Sequence, residues 1–472
     1  MVHYFLLAMQ RDIYRIKDYN TKDTIAAIAT FAAKSALGVI KVSGKKAIDI
    51  VDKIFVAKNK KSLKESKTYT LHYGWIRDNK KIIDEVLVSV MKAPYSYTRE
   101  DVVEISSHGG ILVLNKILKL LLNKGARLAK NGEFTYRAFI NGRIDLLKAE
   151  SILNIVDAKT DKSLDFAINQ LLGFASEKFK NIREDLKDLY SKTEALISFE
   201  EEELNISFKE IKNSLINIKE KIVKIIEDTE KTKVLKEGIN CVICGKTNVG
   251  KSTLFNCLIR EERAIVSEIP ATTRDVIEDT IYINGVLFRV YDTAGFLDTR
   301  DIITNKAIKK SDEILKNADI IILVLDNSKP LDEHDYFLFE KIKNMPDKNI
   351  ITVINKIDLE RKIQLNSLEF KPIVYLSALK NIGIKKLEDV LFKNIYKREP
   401  IDGIFLSNYQ IEILKKIKDI LDESLKYIDR KESIDFVNLL LKEAFQEFGK
   451  ITGEVLCEEV LENIFSNFCI GK

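Results

Sequence analysis

The sequence predicts an α/β-plus-α protein: a mixed α/β domain first, a parallel α/β domain in the second half, and helical blocks on either side of that second domain. Three observations predict this. Short β-rich runs crowd residues 23–107. Apolar residues then recur at three- and four-residue spacing over 163–231 and again over 408–456. Between these blocks, residues 238–399 alternate apolar strand runs with helical stretches, the pattern of a parallel sheet covered by helices. A chain of 472 residues has room for roughly three domains of ~150 residues. Its composition, 46% hydrophobic and 31% charged, is that of a soluble globular protein. Its 76 basic and 71 acidic residues leave a net charge of +5, too balanced to imply nucleic-acid binding by itself.

Taken in order, the runs DTIAAIAT, LGVIKVSG, TYTLHYGWI, DEVLVSVMKA and DVVEISS read as strands. No proline falls between Pro94 and Pro270, and Gly173 is the only glycine between Ser151 and Glu237, so the apolar spacing in that window reads as long amphipathic helices. A second helical block follows Pro400. The opening MVHYFLLAMQ lacks a signal-peptide layout, and no run approaches ~18 apolar residues, so no membrane span is expected. Of the cysteines Cys241, Cys244, Cys257, Cys457 and Cys469, only Cys241 and Cys244 are close, and they lie in an apolar run that reads as a strand. That argues against a zinc site, and scattered free thiols fit a reducing, cytoplasmic location.

The strongest chemistry is in the central segment. GKTNVGKS at 245–252 fits GxxxxGK[ST], follows the apolar run INCVIC and precedes the helical TLFNCLI. Its glycines let backbone N–H groups wrap phosphates, Lys251 offsets β/γ-phosphate charge, and Ser252 presents a hydroxyl to Mg²⁺. Asp292-Thr293-Ala294-Gly295 follows the strand-like VLFRVY, Asn355-Lys356-Ile357-Asp358 follows IITVI, and Ser377-Ala378 follows PIVYL. Asp358 can accept both guanine N–H donors, a pattern adenine lacks, so the set selects GTP over ATP. The segment IPATTRD at 269–275 supplies switch threonines, with Thr273 placed to meet Mg²⁺ beside a γ-phosphate.

NVGKS with a TTRD switch resembles the TrmE-Era-Der group of GTPases, whose Era and Der members act on ribosomes. The flanks narrow this. SYTREDVVEISSHGG at 96–110, GEFTYRAFINGRIDLLKAE at 132–150 and the closing FCIGK resemble the MnmE (TrmE) family of tRNA modification GTPases over about residues 23–472. The resemblance implies an N-terminal α/β dimerisation and folate-binding domain at 1–140 and a discontinuous helical domain at 141–237 and 400–472. It also implies an inserted Ras-like G domain with the P-loop at 238–399. It further implies a homodimer that, with an FAD-containing partner (MnmG, or GidA) in a heterotetramer, adds an aminomethyl-type or carboxymethylaminomethyl group to C5 of wobble uridine in certain tRNAs. The one-carbon donor would be 5-formyltetrahydrofolate or another reduced folate.

Carried over by motif, the GTP contacts fall on Asn248, Val249, Gly250, Lys251, Ser252 and Thr253, on Ser267, Glu268, Ile269, Pro270, Ala271, Thr272 and Thr273, and on Asp292, Thr293, Ala294 and Gly295. The base contacts fall on Asn355, Lys356, Ile357, Asp358, Ser377, Ala378 and Leu379. Mg²⁺ would be held by Ser252 and Thr273. A stimulating K⁺, in the place of an arginine finger, would be held by Asn248, Ser267, Ile269 and Thr272. Lys41, Glu104, Arg143 and Lys472 would bind folate, whose glutamate carboxylates suit cations and whose pterin N–H donors suit Glu104. Cys469 would lie close by and assist the chemistry. A cysteine four places from the end is otherwise a prenylation signal, but lysine in the last place does not fit it.

Departures from the family bear on function. Lys41 stands where arginine is usual, keeping charge but losing the forked donor. The family's proline- and glycine-rich turn reads Ala29 to Gly38 here without proline, and the switch glycine is Ala271. Twelve places after Asp292, where the family has a catalytic glutamate, stands Thr304, so hydrolysis would be slow or would borrow Asp298 or Asp301. The rival expectation is a non-catalytic GTP-binding switch or a ribosome or RNA assembly factor.

Overall fold

The computed structural model describes residues 22–31, 33–198, 207–262, 277–292, 314–345, 348–364, 370–395, 403–455 and 458–472. The chain forms two compact units. One comprises Met1–Asp157, Ala167–Ile226 and Leu406–Lys472; the other comprises Ala158–Phe166 and Glu227–Phe405.

The first unit holds a seven-stranded sheet built from β1 (Ile25–Ile28), β2 (Ser35–Ser43), β3 (Phe55–Ala57), β4 (Thr70–Asp78), β5 (Lys81–Met91), β6 (Val102–Gly109) and β7 (Arg127–Leu128), in the order β3-β4-β5-β6-β2-β1-β7. All neighbours are antiparallel except β1 and β7. The five β-rich runs of the sequence became β1, β2, β4, β5 and β6. Strands β3 and β7, of three and two residues, are too short to show a period. One face buries Ile40, Val42, Val88, Val90, Val103 and Ile105 against Ile117 and Leu121 of the helix Ile111–Asn123. The other packs Ile25 and Ala27 against Ala129 and Phe134, with Tyr97 beside them.

The helical windows are also as the spacing predicts. Gly173, at φ +106°, separates the helices Asp161–Leu172 and Phe174–Ser198; glycine takes that backbone without the Cβ penalty. The helices Asn408–Asp429 and Ile434–Thr452 start at Ser407 and Ser433, whose hydroxyls accept from Gln410 and Asp435 amides. Within the first unit the Phe179 and Phe448 rings pack at a tilt, 5.7 Å between centres, and Thr193 donates to Asn438 at 2.8 Å.

The second unit is a six-stranded sheet of β8 (Ile239–Cys244), β9 (Ile277–Ile283), β10 (Val286–Asp292), β11 (Ile320–Asp326), β12 (Asn349–Asn355) and β13 (Ile373–Tyr375), ordered β13-β12-β11-β8-β10-β9. It is parallel apart from the antiparallel edge strand β9. Strand β11 is buried along its whole length, as a strand covered on both faces must be. In β8 the period of two puts Cys241 in one apolar layer and Cys244 in the opposite one. The sequence places the two cysteines three residues apart, and that spacing turns their thiols to opposite faces.

Candidate functional site

The C-terminal ends of β8, β12 and β13 lead into a cleft of about 510 Å³ in the second unit, lined by Asn248, Gly250, Lys251, Ser252 and Thr253 on one side and by Asn355, Lys356, Asp358, Leu359 and Leu379 on the other. Ligands bind at that edge of a parallel sheet. The loop 245–250 turns at Gly245 (φ +149°), Asn248 (φ +60°) and Gly250 (φ +96°) before the helix Lys251–Glu262 begins. A Cβ on Gly245 would stand 2.4 Å from the Val324 carbonyl oxygen, and one on Gly250 would stand 2.3 Å from the Asn355 amide nitrogen. Both positions need glycine for space as well as for conformation. The buried Lys251 ammonium donates to the Gly245 and Lys246 carbonyls at 2.7 and 2.6 Å, so it lies within the loop that would wrap a phosphate.

Asn355, buried, ties two loops together. Its amide donates to the Val249 carbonyl at 2.8 Å, and its oxygen accepts from the Ala378 N–H at 3.0 Å. Lys356, at φ +66°, reaches the Asn248 carbonyl at 2.5 Å and the Asp326 carboxylate at 2.7 Å. Burial pushes Asp326 up, but Lys356 and the Ser328 hydroxyl and amide outweigh it and hold the carboxyl below the usual range. The Ser377 hydroxyl bonded to Asp358 holds that carboxyl low too, so it is an anionic acceptor at neutral pH. Ser377 and Ala378 are buried while Leu379 is 81% exposed on the cleft wall. The Cys257 thiol donates to the Ala378 carbonyl at 2.9 Å.

The structure thus brings together Asn248 to Thr253, Asn355 to Asp358 and Ser377 to Leu379. Asp292 closes β10 in register beside Ile243. Ser267, Glu268, Ile269, Pro270, Ala271, Thr272 and Thr273 lie outside the described residues. So do Thr293, Ala294, Gly295, Asp298, Asp301 and Thr304. Asp326 is a residue that sequence reasoning missed; its only signal was an aspartate ending the apolar run IIILVLD.

In the first unit, Lys41 and Glu104 are cross-strand partners in β2 and β6, and their charges meet at 3.8 Å. Arg143 follows the helix Glu133–Ile140. Gly142, at φ +70°, ends that helix in a left-handed turn, and the Arg143 N–H donates back to the Ala138 carbonyl at 2.9 Å. The turn sends the Arg143 guanidinium over the Tyr97 ring, 4.7 Å from its centre; the Lys41 ammonium lies 5.8 Å from the same centre. Lys472 docks by its main chain on the first turn of the helix Glu133–Ile140. The Phe134 N–H, which has no partner within its own helix turn, donates to the Lys472 carbonyl at 3.1 Å, and Ile470 pairs with Asn131. Gly471 at φ +96° packs so closely that a Cβ would be 2.7 Å from the Ile28 carbonyl oxygen. Phe465 and Phe468 are buried against Tyr136, while Cys469 is exposed.

Behind this surface runs an ionic network that the sequence did not reveal. Arg137, fully buried, bonds Asp23 at 2.7 Å, Glu133 at 3.0 Å and Glu100 at 3.1 Å, and Arg127 bonds Asp23 and Glu133 as well. Burial works to raise Asp23, and the two guanidinium groups more than offset it, leaving its carboxyl below the usual range.

A glycine-turned loop between a parallel strand and a helix, facing an anionic carboxylate across the cleft, is the arrangement of a P-loop nucleotide-binding protein. The family model for the MnmE helical domain matches residues 146–469, and that for the N-terminus of the GTP-binding protein TrmE matches 24–143. The tRNA modification GTPase MnmE of Alkaliphilus oremlandii (strain OhILAs) is 41% identical over 460 residues, covering 95% of this chain and 99% of that protein. Its namesake in Bacillus subtilis (strain 168) is 39% identical over 461 residues, covering 95% and 100%. The chain belongs to the MnmE family. Among solved structures, the G domain of the T. maritima FeoB iron transporter shares 25% identity at a TM-score of 0.26, over 33% of this chain and 98% of that one. At that score the likeness adds nothing to the assignment.

Proposed function

We propose that this chain is a GTP-hydrolysing enzyme of tRNA modification. The observation that supports the reading is a cleft lined by the GKTNVGKS loop and the NKID segment, in a chain that matches relatives named tRNA modification GTPase over nearly their whole length. Lys251 would move from its loop carbonyls to the β/γ-phosphates, Asn355 would hold the two loops in place, and Asp358 would accept from the guanine edge.

The Ser252 hydroxyl on the cleft wall fits a magnesium ligand, with Thr273 as its partner. Asn248, at the strained turn of the loop, fits a potassium ligand with Ser267, Ile269 and Thr272. When bound, these cations would neutralise charge that develops on the phosphates. Lys41, Arg143 and Lys472 with Glu104 fit a folate carrying carboxylates and pterin N–H donors, and such a folate would supply a one-carbon unit. Cys469, exposed beside that surface, is the candidate assisting group. The division into domains at 1–140, 141–237, 238–399 and 400–472 is part of the same reading, as are the homodimer, the FAD-containing partner and C5 of the wobble uridine as target.

Nucleoside analysis of tRNA from cells lacking the protein tests the activity: a C5 modification missing at the wobble position is expected, and an unchanged nucleoside profile overturns it. Thr304, in the place of the family's glutamate, favours a second reading as a GTP-binding switch without turnover. GTP turnover compared in K⁺ and in Na⁺ separates the two, with strong K⁺ stimulation expected for the enzyme and near-zero rates in both salts for the switch.

A further inference from the structure

We propose that Tyr97 is a positioning residue of the first unit's cationic surface, its ring holding Lys41 and Arg143 together to receive the carboxylates of a reduced folate. The inference rests on the folate reading of that surface. Lys41 belongs to strand β2 and Arg143 to the turn after the helix Glu133–Ile140, elements with no reason of their own to bring two cations together. The Tyr97 ring lies within 4.7 Å of the guanidinium and 5.8 Å of the ammonium. A cation within ~6 Å of an aromatic face is drawn to the ring quadrupole, which offsets the repulsion between the two charges.

The ring is itself fixed. It packs beside Ile25, Ala27, Ala129 and Phe134. Its hydroxyl shares a 2.9 Å hydrogen bond with that of the fully buried Thr135, adjacent to Phe134, whose N–H holds the Lys472 carbonyl. Tyr97 therefore faces two cations of the surface and packs beside Phe134, the anchor of the Lys472 carbonyl. Burial keeps its phenol above the usual range, so ring and hydroxyl do not change charge near neutral pH. Glu104 stands 3.8 Å from the Lys41 ammonium, so the surface suits a ligand that presents carboxylate oxygens to the two cations and a hydrogen-bond donor to Glu104 beside them.

The test is isothermal titration of the full chain with 5-formyltetrahydrofolate, using wild type, Tyr97→Phe, Tyr97→Leu, Arg143→Ala and the double variant Tyr97→Leu/Arg143→Ala, each checked for folding by its circular-dichroism melt. Tyr97→Leu is expected to bind about tenfold more weakly, and Tyr97→Phe, which keeps the ring, within about threefold of wild type. The double variant is expected to lose clearly less than the product of the two single losses, because the ring acts through the guanidinium as well as through the Lys41 ammonium. Tyr97→Met replaces Tyr97→Leu in the series should that variant fail to fold. Wild-type affinity in the apolar variant, or losses that multiply in the double variant, overturn the inference alone. A wild-type chain that does not bind the folate overturns the reading beneath it and the inference with it.

Discussion

Replacing Asn355 by alanine removes two hydrogen bonds from a buried position. The Val249 carbonyl loses its donor at 2.8 Å and the Ala378 N–H loses its acceptor at 3.0 Å. A buried polar group left without a partner costs about 1–3 kcal/mol, so the pair costs roughly 2–4 kcal/mol after local relaxation. Part of that appears as a lower melting temperature and part as lost preorganisation of the two loops that would grip the nucleotide. If half is felt at the cleft, affinity for a fluorescent GDP analogue should fall by about 5- to 30-fold, since 1.4 kcal/mol is a factor of ten. Asn355→Asp preserves the acceptor for Ala378 but sets an oxygen against the Val249 carbonyl, so it should lose at least as much. Fluorescence titration gives the affinity and differential scanning fluorimetry the melt. An Asn355→Ala chain with wild-type affinity and an unshifted melt would refute the role assigned to that amide.

The remaining predictions concern the base edge, the tail, the ion pair and the thiols. Asp358→Asn should shift preference from guanine to xanthine nucleotides, read by competition binding; unchanged GTP affinity would show that the carboxylate does not meet the base. Deleting Cys469 to Lys472 removes the Lys472 carbonyl that caps Phe134 and should weaken 5-formyltetrahydrofolate binding about tenfold while GTP affinity holds, with equal folate affinity in calorimetry counting against it. Asp326 has a folded pKa below its unfolded value of about 3.8, so its stabilisation by Lys356 is present above that value and lost as pH falls through the folded pKa. Asp326→Asn should therefore lower the melting temperature most at pH 7 and progressively less as the pH falls below 3.8, and a shift that does not change with pH would remove the ion pair as the cause. Burial pushes the Cys244 thiol up to about 12 and Cys241 higher still. Alkylation at pH 8 followed by peptide mapping should label the exposed Cys469 first and leave both strand cysteines unmodified until unfolding.

What the sequence disclosed, and what it withheld, follows from range. The glycines at 245 and 250 were legible because their requirement is local: each sets a turn within a few residues, ahead of a helix whose start is also local. Lys41 and Glu104 were named on a family resemblance, and their pairing came from strand register, which two separate β-rich runs do not specify. Asp326 meets Lys356 across 30 residues, and Arg137 meets Asp23 across 114. No spacing rule reaches so far. Tyr97 lies in a motif that was read only for its family resemblance. The short strand β3 escaped because three residues cannot display an alternation.

The close approach of Gly250 to Asn355 bears on attempts to engineer this chain. Gly250 has room for the Asn355 amide and nothing larger, and that amide in turn fastens Val249 and Ala378. The three signature segments are interlocked parts, as in a keyed tumbler. Both Asn355 bonds run to main-chain atoms, so a chimera that takes another GxxxxGK loop keeps the fit as long as asparagine stays at 355. Position 355 is accordingly the one to hold fixed in a library that varies the phosphate loop.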